Sequence, residues 1–137
     1  MIKKVTIVYT RSSDGTYNVY CEDCPELFGM GNSAEEAKMD LIKSIEITKE
    51  EIGKESSAFY PDWLDSEYEF ISRWDVQAML EYYSGIITPA ALSKISGIHP
   101  KQLWAYLHGL SKPRRKQVER IENALHKLGT ELLNTSF

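Results

Sequence analysis

The residues best suited to chemistry in this chain are two cysteines, three histidines and a short run of cations. Cys21 and Cys24 enclose Glu22-Asp23, a C-x-x-C spacing that could supply half of a zinc site or a redox dithiol. A structural zinc needs four ligands, and no second cysteine pair exists; His99, His108 and His126 all fall in the other half of the chain. A redox dithiol wants a helix N-terminus to lower the thiol pKa, whereas this pair falls where a strand ends. Small apolar strand-end residues are the plainer account. His126, in the last turn of a predicted helix, suits the negative helix end. No Ser-His-Asp order, Gly-rich phosphate loop or H-E-x-x-H occurs. Residues 1–13 hold neither Asp nor Glu, so a two-metal nuclease would lack its first-strand carboxylates. No catalytic residue, metal or cofactor is expected. What remains is cationic: Lys112-Pro-Arg-Arg-Lys116, following a segment with Lys101, Gln102, Trp104, Ala105 and His108.

These cations belong to an uneven chain. The 137 residues carry a net charge of -4, but residues 1–70 hold seven Lys/Arg against fifteen Asp/Glu, and residues 71–137 nine against five. Within 94–127 the count is eight basic to two acidic. Such a split predicts two small domains, 1–73 and 74–137, the second suited to an anionic partner. No apolar run is long enough to span a membrane, and the polar Met-Ile-Lys-Lys start does not suit a secretory signal, which argues for the cytoplasm. Two cysteines make no disulfide framework.

The first half predicts β-β-β-α-β. Val5, Ile7 and Tyr9 alternate with Thr6, Val8 and Thr10, the period of a strand. Ser12-Ser13-Asp14-Gly15 signals a tight turn, and Tyr17, Val19 and Cys21 alternate in a second, antiparallel strand. Leu27 to Met30 is a third, closed by Gly31. Ser33 and Glu36 form a capping box for a helix whose stripe is Ala34, Ala37, Leu41, Ile45, Thr48 and Ile52, stopped by Gly53. Residues 54–66 form a loop, and Tyr68 to Arg73 a further strand. So few apolar residues for a unit this small predict that it pairs with another copy or a partner.

The second half predicts four helices. Asp75 caps the first, carrying Val76, Met79, Leu80 and Tyr83; Thr88-Pro89 opens the second; His99-Pro100 opens the third, with Leu103 and Leu107 inward; Pro113 precedes a fourth with Val118, Ile121, Leu125 and Leu128, ended by Gly129. Pro89 to His108 carries the pattern of a helix-turn-helix: small Ser93 midway along the first helix, Gly97 for a positive φ in the turn, then apolar Ile98, Leu103 and Tyr106. It resembles the Cro/repressor class, with Ser96 where an apolar residue is common. A helical bundle without DNA contact is the bland alternative. In the first reading, Pro100 to His108 is the reading helix, with Lys101, Gln102, Trp104 and Ala105 toward base edges. His108, Lys112, Arg114, Arg115 and Lys116 then lie along phosphates. Trp104 could equally pack against a neighbouring helix or subunit.

The run from Tyr17 to Ala37 resembles the N-terminal module of HicB antitoxins: an aromatic strand, a D-x-P-G-like corner, a Gly and a T/S-x-E-E-A helix start. Asp23, Pro25, Leu27, Gly31, Ser33, Glu35, Glu36 and Ala37 match; Glu26 stands in place of the usual Gly and Glu22 in place of a frequent Pro. With the helix-turn-helix behind it, the resemblance covers nearly the whole chain. It implies an α+β fold, with a partial ribonuclease-H-like module followed by an all-α DNA-binding domain. It also implies an antitoxin that covers the active site of a small mRNA-cleaving HicA-type toxin and represses its own operon at operator DNA, as a homodimer or tetramer. A -8 half suits a basic RNA-binding toxin. The exposed strand and corner positions Tyr20, Asp23 and Phe28 are candidate toxin contacts, beside ordinary sheet packing for Tyr20 and Phe28. Two other functions stay open: a stand-alone regulator whose first half only dimerises or senses a ligand, and an RNA-processing enzyme, disfavoured by the missing carboxylates.

Overall fold

In a computed structural model describing residues 1–137, the chain is mixed α and β and divides into two compact units, 1–78 and 79–137. The division falls within a helix, beyond the 73/74 boundary expected from composition, because Ala78 is buried in the first unit's core.

The alternating pattern of residues 3–11 forms β1 (Lys3–Arg11), with Val5, Ile7 and Tyr9 buried and their neighbours on the other face. A tight turn follows: Gly15 adopts φ 91°, and Asp14 Oδ1 accepts the Thr16 N–H at 2.9 Å. That N–H bond also holds the Asp14 carboxyl below the usual carboxylate range. β2 (Tyr17–Cys21) returns antiparallel, and β3 (Cys24–Gly31) follows a two-residue turn at Glu22-Asp23. β3 is longer than Leu27–Met30. Its register slips after Tyr20↔Phe28 to Cys21↔Cys24, leaving Pro25, Glu26 and Leu27 bulged, where a proline's missing N–H does no harm. β4 (Tyr68–Trp74) pairs parallel to β1, so the order is β3-β2-β1-β4.

α1 (Ala34–Glu46) crosses between β3 and β4. Ser33 Oγ accepts the Glu36 N–H at 3.1 Å, as a cap should. The reciprocal half of the box differs: Glu36 Oε2 accepts from the N–H of Asn32, not of Ser33. Ala34, Ala37, Leu41 and Ile45 face the sheet. The helix then widens to π winding over Ile47–Ile52 before Gly53 (φ 82°) stops it. The wider turn changes the angular step, so Thr48 stays buried while Ile52, expected on the stripe, is exposed. Glycine lets α1 lie close on β3: a Cβ at Gly29 would stand 2.2 Å from the Ala37 carbonyl oxygen, and one at Gly31 2.5 Å from Glu36 Cβ.

The 54–66 segment is not a plain loop. A 3-10 turn over Asp62–Asp65 buries Trp63 and Leu64, and Trp63 Nε1 donates to Asp23 Oδ2 at 2.9 Å. With Trp74 stacked on Tyr9 at 4.2 Å, these residues give the unit a larger core than strand and helix patterns alone predict.

The division between the units falls within α2 (Val76–Tyr82), where Asp75 Oδ1 accepts the Ala78 N–H as the expected cap. α3 (Pro89–Ser96) is capped by Thr88, α4 (Pro100–Leu107) by His99, and α5 spans Arg115–Leu133. Leu92, Ile98, Leu103, Tyr106, Ile121 and Ala124 are buried in this unit. Tyr106, not Leu107, takes the inward place on α4, and of the expected α5 stripe only Ile121 is fully buried. α5 does not end at Gly129. It runs on to Leu133, because the rest of a 19-residue helix outweighs a glycine cost of about 1 kcal/mol. No helix is long and apolar enough to cross a membrane.

Candidate nucleic-acid interface

The α3–α4 corner begins at Gly97, which closes α3 with φ 74°, a left-handed conformation that side chains with a Cβ rarely adopt. Ile98 follows and is buried, while Ser93 on α3 is half-buried, small enough for α4 to pass. Ser96, polar where an apolar residue is usual, stabilises the turn locally, since its Oγ accepts the Ile98 N–H at 3.2 Å. His99 Nδ1 accepts the Lys101 N–H at 3.1 Å and opens α4.

Arg120 was not among the expected site residues. Its Nη2 donates to the Ser96 carbonyl at 3.2 Å and its Nη1 to Gln117 Oε1 at 3.2 Å. The cation thus sits on the electronegative end of α3 and pins that helix to α5. The only trace in the sequence is an arginine one helical turn beyond Lys116.

The expected reading residues divide. Lys101 is exposed, Trp104 is 49% exposed and Ala105 is half-buried. Trp104 does not pack inward; its ring stacks on His108 at 3.9 Å, and His108 Nδ1 lies 2.9 Å from the Trp104 carbonyl, a bond made when that nitrogen carries the proton. Gln102 is half-buried, and its Nε2 donates to Ser111 Oγ at 3.3 Å, so reading a base would require it to release Ser111. Lys112, Arg114 and Lys116 are exposed, whereas Arg115 pairs with Glu119 one turn on. Arg114, Arg115 and Lys116 stand at the start of α5, whose first turn has no acidic residue and whose N-cap makes no side-chain bond. Helix N–H groups and cations there point the same sign at the same place.

In the first unit, Tyr20 and Phe28 are register partners across β2 and β3, on the face away from α1; Phe28 is 53% exposed and Tyr20 half-buried. Asp23 stands apart from them at the hairpin turn, where it clasps Trp63 beside a cleft of about 440 Å³ lined also by Lys3, Tyr60 and Asp62. Cys21 and Cys24 are register partners across that turn, both free and buried. Burial, reinforced by the Asp23 charge, pushes the Cys21 thiol up to about 12, and burial and Glu26 raise Cys24. Neither has the acidity of a redox thiol. Nowhere do three or more His, Cys, Asp or Glu side chains gather as a metal would need. No family model, no curated protein and no solved structure matches the chain.

Proposed function

We propose that the chain is a DNA-binding repressor whose acidic first unit neutralises a small basic ribonuclease, the arrangement expected of a HicB-type antitoxin working in the cytoplasm. On this reading α3 and α4 form a helix-turn-helix of Cro/repressor type, and the four-stranded sheet with α1 is a partial ribonuclease-H-like module. The protein acts by binding, not by catalysis.

One observation carries the nucleic-acid half. Exposed Lys112, Arg114 and Lys116 crowd an uncapped helix N-terminus immediately after α4, an arrangement that self-repels unless an anion lies against it. Lys101 and the Trp104–His108 stack on the outer side of α4 supply a donor and an apolar surface for base edges. The toxin half is supported by the charge of -8 over residues 1–70 and by exposed Phe28 beside half-buried Tyr20. Asp23 contributes charge but is already committed to Trp63.

The deciding experiment is binding of the full chain to duplex DNA from the region upstream of its own reading frame, against a scrambled duplex, with co-expression of the neighbouring small basic reading frame in parallel. Preference for the upstream duplex and rescue of growth from the neighbour's product are the expected results. DNA preference without rescue would leave a stand-alone regulator; no preference would remove the repressor.

A further inference from the structure

Strand β4 lies at the edge of the sheet, and its sequence is self-complementary about its centre. We infer that two copies of the chain pair through β4, antiparallel and centred on Ile71, to make one continuous sheet from two four-stranded ones. The inference is independent of the DNA-binding reading.

The backbone decides which registers exist. Lys3 N–H donates to the Glu67 carbonyl and Asp75 N–H to the Tyr9 carbonyl, so the odd-numbered residues of β4 turn their amide groups toward β1. The even-numbered residues Tyr68, Phe70 and Ser72 turn theirs to the open side. An antiparallel two-fold that keeps both sheets facing one way pairs residues of equal parity, so the axis must pass through a residue. Centring on Ile71 overlaps the whole strand, with Phe70 opposite the partner's Ser72, and Ser72 opposite the partner's Phe70, as hydrogen-bonded pairs. A shift by one centre in either direction shortens the ladder.

Side chains select the same register. Ile71, 46% exposed, meets its own copy, and Glu69 meets the partner's Arg73 in a close non-hydrogen-bonded pair. In the single chain Glu69 already pairs with Lys4, and Arg73 with Glu22. Pairing therefore extends an alternating row of charge: Lys4, Glu69, then the partner's Arg73 and the partner's Glu22. On the α1 side, large Phe70 faces small Ser72. β4 carries no proline and no bulge, so its outward amides stay available, and Glu69 and Arg73 are the charges that select this register over others.

The decisive experiment measures the mass of the full chain by light scattering at micromolar concentration. The wild type is expected to be a dimer of the 15.7 kDa chain or a multiple of it. S72P removes only an outward N–H, which an edge strand tolerates, and should halve the mass with the circular-dichroism spectrum unchanged. E69R and R73E each put like charges opposite at both ends of the interface and should weaken association about tenfold or more. Mixing those two variants pairs opposite charges at every contact and should restore the wild-type mass. A monomeric wild type, an unchanged mass for folded S72P, or a mixture of E69R and R73E that stays dissociated would each overturn the inference.

Discussion

Salt dependence separates the cations that would touch DNA from those that hold the fold together. Lys101, Lys112, Arg114 and Lys116 are exposed and have no carboxylate partner, whereas Arg115 is paired with Glu119 and Arg120 is spent on the Ser96 carbonyl. With Lys101 kept for base edges, the three phosphate contacts of Lys112, Arg114 and Lys116 give a slope of log K against log salt of about -2.7 per chain, roughly a fortyfold loss per bound chain between about 50 and 200 mM. R114Q should make that slope less steep by about 0.9 per chain without lowering stability to urea, since it removes a cation from a positive helix end. R120Q should do the reverse: the slope is kept, and stability falls by about 1 kcal/mol because the α3 terminus loses its donor. Fluorescence anisotropy of a labelled upstream duplex titrated at several salt concentrations reads both. A wild-type slope flatter than about -1, or an R120Q variant that flattens it as much as R114Q, would refute the assignment.

Three further outcomes follow from the first unit. G29A drives a methyl into the Ala37 carbonyl beneath α1, where backbone must move, and should cost about 1–3 kcal/mol in urea unfolding. W63F keeps a buried ring but strands Asp23 without its indole donor, a loss of about 1 kcal/mol by the same assay. The raised Cys21 pKa means the folded chain keeps a proton that the unfolded chain releases, so stability should fall as pH rises from 9.0 toward about 12. C21A should show a shallower decline over that range in pH-dependent thermal melts.

The sheet and most helix starts were legible because they depend on local rules: period-2 alternation in residues 3–11, the Asp14-Gly15 turn, and side-chain caps at Ser33, Asp75 and Thr88. Features settled by distant packing were not. Trp63 and Leu64 sit in a polar stretch with no period to announce them, yet the core takes both. The π turn after Glu46 conserves the helix pattern while rotating its face, so Ile52 could be misplaced by spacing alone. At the candidate site, the exposed cations are legible in the run Lys112 to Lys116 that contains them. The engagement of Gln102 with Ser111 and of Arg120 with Ser96 joins residues from separate segments and leaves no mark in either one.

The cations at the start of α5 are informative because they are unfavourable where they stand. A helix N-terminus carries about half a positive charge, and an acidic residue there would be stabilising by about 0.3–1 kcal/mol. Arg114, Arg115 and Lys116 instead add positive charge, and only Arg115 finds an acidic side chain nearby. Folding alone gains nothing from this choice, which fits the proposed reading of a surface kept for an external anion. The acidic first unit sharpens the point: its charge repels a polyanion, leaving the second unit to supply the attraction. Replacing Arg114 and Lys116 together by glutamate should therefore raise the stability of the free chain slightly while abolishing its affinity for DNA, and a stability loss instead would mean that these cations serve the fold.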